Sequence, residues 1–478
     1  MNSFRLGFLL FLFAPLLGAK VDASAAADTP YTAQLNSECD DILRLAIHRP
    51  YGWAWDPAAA SEMNGHPSPR AVSMQPLATP AAGLILLRAG LLLNEPRYIE
   101  AAQQVARGIS ASEMPTGRIR SNPIFGPVAG GREEQAIIAD RAATRCGLGL
   151  LLALVDQANA STQPTDARQE AIRRAAQRSA RWLAKQEAPN GLWPTAFPPS
   201  AKPVDTMRIV RLDDADYRDS TFALLLSAEL FHDETLHHFA LGPLDGLLKV
   251  RLISDVHGPG LWSSACTIDG TNIPTGFPNG PDLLASRYAM QTLLAGYLLT
   301  GEATLSTALD RAATTLTQVK RPDGFYDRFL DPTAAADMAR ALAGSDAGTP
   351  HFFATVPSTK PTQSHSVLAS QVLSGDFEIP ELLDAATRLK STGRDGYVTS
   401  LGGTTPLHED LEASLCGLSD DPLSSNFPQT AAEVPPYLAS HADFWKPAEG
   451  PAPDDLSGRV KRLWVLLLRA KLEHLAAQ

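Results

Sequence analysis

The sequence is poor in the features that usually announce an activity. It has no Gly-x-Ser-x-Gly elbow, no phosphate-binding loop and no dinucleotide fingerprint, which leaves serine-nucleophile and nucleotide-dependent chemistry without support. It has no basic run, and 41 Lys+Arg against 52 Asp+Glu give a formal charge of −11, so nucleic acid is excluded as an expected ligand. Cysteine is scarce. Cys39, Cys146, Cys266 and Cys416 are too widely spaced for a zinc site and read mainly as small buried hydrophobes, with three pairings open. His232, His237 and His238 lack the spacing of a helical zinc motif and read as solvated turn residues. After residue 30 no apolar run reaches membrane length, Leu84 to Leu93 being interrupted by Arg88, so no membrane span is expected. What the chain does hold is apolar residues at 44% together with 37 Pro and 34 Gly, the balance of helices joined by stiff, structured loops.

The first residues read as an export leader. Met1 to Arg5 carry one positive charge, Leu6 to Leu17 are apolar, and small residues follow at Gly18, Ala19, Ala23, Ser24 and Ala25. Residues 1–25 are therefore expected to be a signal peptide, and the mature chain to be secreted or periplasmic. Residues 30–478 are expected to form one domain and to act as a monomer, with residues 446–455 a Pro-rich connector to a closing C-terminal helix.

Glycine recurs beside aromatics at long, regular intervals. The positions are Gly52-Trp53, the weaker Gly117, Gly191-Leu192-Trp193, Gly260-Leu261-Trp262, Gly324-Phe325-Tyr326 and Gly396-Tyr397, with successive glycines 65, 74, 69, 64 and 72 residues apart. Paired apolar-periodic segments lie between them, such as Ala81 to Leu93 followed by Tyr98 to Ile109, and Leu283 to Leu299 followed by Leu305 to Val319. The connectors repeat as well: Glu95, Glu234 and Glu302 are each followed six residues later by Ala101, Ala240 and Ala308. A helical hairpin cannot bury its apolar face alone, so about six of them must stack. The terminal segments, Leu35 to Ile47 and Val460 to Leu475, are as apolar as the interior ones. That favours a closed all-α ring, an α/α toroid, over a solenoid with polar caps. In such a ring the loops would line a central cleft, with Leu401 to Pro406 and Asn426 to Pro436 as irregular cleft loops. Trp193, Trp262, Tyr326 and Tyr397 would then be platforms for sugar rings, or else pegs packing loop on helix.

Chemistry-bearing residues concentrate in Arg208 to Asp219, just before the apolar segment Phe222 to Phe231. Four carboxylates exceed what helix capping needs, and the hard oxygens of Asp213, Asp214 and Asp216 suit calcium. Arg208, Arg211 and Arg218 could hold a uronate carboxylate bidentately. Asp140, about one repeat earlier, heads another apolar helix as a cap or as a cleft carboxylate.

These motifs resemble one family. Pro189-Asn190-Gly191-Leu192-Trp193-Pro194 is similar to the Pro-Asn-Gly-Gly-Trp-Pro stretch of the pectic acid lyases. Arg211 to Ala215 falls where that family has Asn-Asp-Asn, Asp214 matching the central Asp. Asp140 to Thr144 resembles its Asp-Asn-x-Ala-Thr element, and Pro259 to Trp262 its Pro-x-x-Trp loop. The resemblance implies an α/α toroid that cleaves an acidic plant-type polysaccharide or oligosaccharide by calcium-assisted β-elimination. It implies an arginine as base; with the positions read above, the candidate catalytic residues are Asp214, Arg211, Arg218 and Asp140, and the candidate substrate-binding residues Trp193, Trp262, Arg208, Tyr326 and Asn190. The alternatives are a two-carboxylate toroid hydrolase using Asp140 and Asp214, and a glycan-binding toroid without activity. A terpene-cyclase-like toroid is a third, for which Asp213-Asp214-Ala215-Asp216 has the wrong spacing.

Overall fold

The computed structural model describes residues 30–56, 72–121, 138–162, 164, 166–194, 209–254, 258–270, 274, 280–330, 374–420, 423, 427–428, 430–440, 453 and 455–477. The leader 1–25 and Arg208 lie outside these residues, as does all of 446–455 except Pro453 and Asp455.

The sequence periodicity becomes four consecutive helical hairpins. They are α2 (Thr79–Leu92) with α3 (Pro96–Ser112), α4 (Ile138–Ala160) with α5 (Ala167–Ala184), α6 (Ala215–Phe231) with α7 (Glu234–Val250), and α8 (Leu283–Thr300) with α9 (Ala303–Gln318). The first member of each pair is buried on nearly all sides, as α2, α6 and α8 show along almost their whole length. The second buries only a stripe. In α9 the stripe is Leu305, Ala308, Leu309, Ala312 and Leu316, the spacing of one helix face. A helix apolar all round can only be an inner wall, and a helix with one apolar stripe an outer one. Inner walls α2, α4, α6 and α8 pack side by side in that order.

The wall continues through α10 (Ile379–Ser400), which packs on α8 and α9, and is completed where the two ends of the described chain meet. There α1 (Pro30–Arg44) lies against α13 (Leu456–Ala476), which in turn packs on α2. Arg462 reaches Glu38 at 2.8 Å, and the Tyr31 backbone N–H donates to Glu473 at 3.2 Å. Pairing of first with last helices is what a ring requires and a capped solenoid does not. The fold is an all-α toroid.

Short antiparallel ribbons lace the loops that lead into the inner helices. β1 (Ile47–Arg49) pairs with β2 (Gly52–Ala54), β3 (Ile209–Arg211) with β6 (Ala265–Thr267), β4 (Leu252–Ser254) with β5 (Gly258–Leu261), and β7 (Tyr326–Asp327) with β8 (Ser374–Gly375). The β3–β6 ribbon ties the loop before α6 to the loop before α8.

The repeated glycines have a packing reason. At Gly117 φ is +97°, and an added Cβ would sit 2.1 Å from the Arg178 carbonyl oxygen on α5. At Gly191 φ is +86°, and the Cβ would sit 1.9 Å from the Gly242 carbonyl oxygen on α7. Each turn presses backbone against the outer helix of the following hairpin, an approach only glycine permits. Gly396 departs from the pattern and lies inside α10, whose non-helical break is at Gly393.

Two segments read as irregular loops are helical. Thr404–Leu415 forms α11, and Ala431–Glu433 is a 3₁₀ turn leading into α12 (Val434–Ser440). In both, prolines argued against helix, yet Pro406, Pro435 and Pro436 all fall in a first turn, where the missing N–H has no partner to lose. α11 lies inside the ring, packed on both α4 and α6. It runs antiparallel to them: His408 near its start meets Asp156 late in α4, while Ser414 near its end meets Asp219 early in α6.

Candidate functional site

Three inner helices begin with an aspartate, and each aspartate is committed to structure. Asp140, 2% exposed, is held by Arg118, whose Nε donates at 3.0 Å, and by the Ser121 backbone N–H at 2.8 Å. Asp214 caps α6 by accepting from the Asp216 backbone N–H at 2.8 Å. Asp282 caps α8 and is bridged by Arg328 at 3.1 Å, whose same Nη2 reaches Asp213 at 3.0 Å. Asp213 also accepts from Arg211 Nε at 2.9 Å. Asp216 is clamped by Arg141 and by Arg145, the latter at 2.5 Å. Burial alone would raise the Asp216 carboxyl, but the two guanidinium groups hold it below the usual carboxylate range. Carboxylates taken out of water need such partners, and each guanidinium fork supplies several donors at once.

This arrangement bears on the expectation of a catalytic and calcium-binding cluster at Asp213, Asp214 and Asp216, Arg208 lying outside the described residues. Asp213 and Asp216 spend their oxygens on arginines and Asp214 on a backbone N–H. Among the described residues no group of three or more His, Cys, Asp or Glu is placed to hold a metal. A calcium ion, which takes six to eight oxygens, does not fit Asp213, Asp214 and Asp216 as they stand. Arg211 does not suit the role of base either. Burial would lower its pKa, but Asp213 holds the guanidinium above its ordinary value, fixing the proton. Arg218, 1% exposed, is a structural hub that donates to Asp219 at 2.8 Å, Gln291 at 2.8 Å, Ser414 at 2.9 Å and the Asp420 carbonyl at 2.7 Å.

The aromatics are pegs rather than platforms. Trp193 is 1% exposed and donates its indole N–H to Thr221 Oγ1 at 3.0 Å; Trp262 is fully buried and donates to the Leu247 carbonyl at 2.9 Å. Tyr326 and Tyr397 are also fully buried, and the Tyr397 hydroxyl donates to the Leu423 carbonyl at 2.8 Å. Asn190 donates to the Ile268 carbonyl at 2.6 Å and so joins two loops. A loop pinned to a helix gains most from a large ring with a single polar handle, which is what these positions supply.

Carboxylates pushed in opposite directions occur at the heads, where burial raises Asp213 and the arginines lower Asp216, and also on α11, whose start, Leu401 to Pro406, reads in sequence as an irregular loop. Pro406, Glu409, Asp410 and Ala413 form one face of it and line a cavity of about 690 Å³ bounded by α2, α11, α12 and α13. Arg88, Lys471, Trp464 and Tyr437 line the same space. Arg88 binds two glutamates one helical turn apart, Glu409 at 3.0 Å and Glu412. Their environments push them in opposite directions. Burial would raise Glu409, but Lys471 at 2.7 Å and Arg88 hold it below the usual carboxylate range. Burial dominates at Glu412, which is fully inaccessible and pushed up to about 7 against the pull of Arg88, with Oε1 lacking any hydrogen-bond partner. On the inward face, His408 Nδ1 stands 3.0 Å from Asp156, and Nε2 3.4 Å from Glu229. Burial alone would lower its pKa, but these carboxylates raise it to about 10, so the ring is an imidazolium at neutral pH. The signal that would have found α11 is the acid pair spaced three apart behind His408, which the Gly-Gly and Pro before it obscured.

Comparison with known proteins adds the following. No family model and no curated protein matches the chain. Among solved structures, the apo β-1,3-1,4-glucanase from Paenibacillus sp. X4 superposes with a TM-score of 0.37 at 9% identity, covering 92% of this chain and 93% of that one. The cellobiose 2-epimerase from Spirochaeta thermophila DSM 6192 superposes with a TM-score of 0.36 at 13% identity, covering 82% and 97%. Superpositions this loose carry no activity across. They do not support the resemblance to pectic acid lyases, which fails on the absence of a family match and on its own residues. Trp193 and Trp262 are buried pegs, Asp214 a helix cap and Asp140 an arginine partner.

Proposed function

We propose that the protein is a carbohydrate-active toroid enzyme whose site is the cavity beside α11, and that it cleaves a glycosidic bond by acid–base chemistry. One observation carries this reading: at the wall of a ligand-sized cavity, Arg88 binds Glu409, which lines the cavity and is held ionised, and Glu412, buried behind it and pushed up to about 7. Separation of two carboxyl pKa values is how one site holds both an acid and a base near neutrality. Trp464 and Tyr437 offer apolar ring faces to a sugar, while Asp410 and Lys461 offer hydroxyl partners. Glu409 faces the cavity and takes the role of ionised carboxylate. Glu412 stores the proton behind Arg88, and its delivery to the leaving oxygen requires the Arg88 side chain to swing aside.

The test is release of new reducing ends from a panel of a neutral β-glucan, starch and polygalacturonate by the purified chain. Activity on one glycan should fall at least about 100-fold in Glu409→Gln and in Glu412→Gln, and stay near wild type in Asp140→Asn if that variant keeps its fold. Activity that survives both glutamine variants would overturn the assignment of the pair. Absence of turnover on every glycan, with sugar binding lost in Trp464→Ala, would replace catalysis by the glycan-binding reading.

A further inference from the structure

Two of the four cysteines are brought together by α11. Cys146 lies on α4 and Cys416 caps the C-terminus of α11, 270 residues later; both are fully buried. The Cys416 thiol donates to the Cys146 carbonyl at 3.5 Å, and both cysteines are free thiols in this structure. The Cys146 thiol in turn points to the Gln75 carbonyl at 3.6 Å. Room for this meeting is made by Gly149, one turn beyond Cys146 on α4, where an added Cβ would sit 2.9 Å from the Cys416 sulfur. The Cys416 backbone carbonyl is also fixed, accepting from the Leu77 N–H at 2.9 Å. Cys39 on α1 and Cys266 on β6 belong to other parts of the ring.

We infer that Cys146 and Cys416 are a modification site: under an oxidising thiol–disulfide poise they form a disulfide that bolts α11 into the centre of the ring. The inference is independent of the catalytic reading, because it rests on where two thiols sit and not on what the cavity binds. The oxidant is a disulfide of the glutathione class. One cysteine thiolate attacks a sulfur of the oxidant, expelling one glutathione thiolate and leaving a mixed disulfide. The second cysteine thiolate attacks the protein sulfur of that mixed disulfide and expels the second glutathione. Two electrons pass from the cysteine pair to the oxidant, and the two cysteine protons end on the released glutathiones. Burial keeps both thiols from attacking readily once the chain is folded, so the bond closes as α11 seats, while oxidant still reaches the thiols. It joins two positions far apart in sequence, the case in which a cross-link restricts the unfolded chain most.

The experiment uses the full chain, refolded in a reduced–oxidised glutathione buffer, alkylated in denaturant and weighed intact. Two alkyl groups are expected, on Cys39 and Cys266, with one disulfide-linked peptide pair containing Cys146 and Cys416. The thermal midpoint should drop by several degrees when reductant is added, and this drop should be absent in Cys146→Ala/Cys416→Ala. Four alkylated cysteines, or a linkage through Cys39 or Cys266, would overturn the inference. Should the double variant fail to fold, the peptide map of the unmodified chain decides alone.

Discussion

The heads of the inner helices and the wall formed by α11 use the same residue types to opposite ends. At the heads, Asp140, Asp213, Asp216 and Asp282 each meet arginine. There the pairing is generous, for Asp216 alone has two guanidinium groups. At the α11 wall one arginine serves two glutamates, and Glu412 keeps an oxygen with no partner. The difference lies in how the cations are shared: at the wall Lys471 reaches only Glu409, so Glu412 has Arg88 alone and shares it. At Glu412 burial outweighs the shared arginine and moves the proton's affinity toward neutrality.

The comparison breaks first, and with the largest effect, at Asp216. Asp216→Ala takes from the buried Arg141 its carboxylate and leaves Arg145 only Asp219 at 3.7 Å, and stability should fall by about 3–5 kcal/mol, read from the urea midpoint. A loss under about 1 kcal/mol would mean that water already reaches those guanidinium groups and that the head cluster is open.

The α11 wall should show itself in pH dependence. Glu412 titrates higher in the folded chain than its ordinary 4.5, so the folded state holds the extra proton. Its contribution to stability is complete below 4.5 and is lost as pH rises through about 7. His408 follows in sequence: its contribution is complete below its ordinary 6.5 and lost as pH rises through about 10. The unfolding free energy should therefore decline by several kcal/mol from about pH 5 to pH 9, read from urea midpoints. Glu412→Gln should flatten the lower half of that decline and His408→Gln the upper half. An unchanged slope in Glu412→Gln would remove the proton from this residue and with it the acid of the proposed mechanism.

How much of this was legible beforehand follows the physics of each feature. Hairpins were readable because an inner wall such as Leu283 to Leu299 is apolar throughout, while its partner keeps a period of 3.6. Ring closure was readable from the apolar character of Leu35 to Ile47 and Val460 to Leu475, now seen packed together as α1 and α13. The recurrence of Gly with Trp was visible too, but its meaning was not, since a buried peg and an exposed platform need the same ring. Burial of Trp193 and Trp262 is set by distant helices that a local pattern cannot reveal. The charged run at Asp213 to Asp219 drew attention because its members are adjacent in sequence, whereas Arg88, Glu409 and Lys471 meet only through the ring. Sequence neighbours exaggerate one cluster and hide the other.

A smaller effect sharpens the aromatic half of the comparison. Trp262→Phe removes the hydrogen bond to the Leu247 carbonyl and part of a buried ring, and should cost about 2 kcal/mol. Retention of the chain by an immobilised glycan should be unchanged, because the ring has no exposed face. Weakened retention with an unchanged midpoint would restore Trp262 as a platform. Trp464→Ala should do the reverse, sparing most of the stability and reducing retention, since Trp464 borders the cavity and is only partly buried.

The smallest expected change is the most discriminating, because it separates capping from chemistry at a single residue. Asp214 accepts one backbone N–H, from Asp216, and starts α6. Asp214→Ala should lower stability by about 1 kcal/mol, the ordinary cost of an N-cap. Asp214→Asn, whose side-chain oxygen can still accept that N–H, should lose much less. Both variants should have thermal midpoints that respond to calcium and to chelator as the unmodified chain does. If calcium instead raised the midpoint of the unmodified chain, and that rise vanished in both Asp214→Ala and Asp214→Asn, the carboxylate would be a metal ligand. The helix-head cluster would then have to rearrange to release Asp213 or Asp216 from its arginines. Retention of the cap by Asn with no calcium response leaves Asp214 as what its geometry makes it, the first stone of an inner wall.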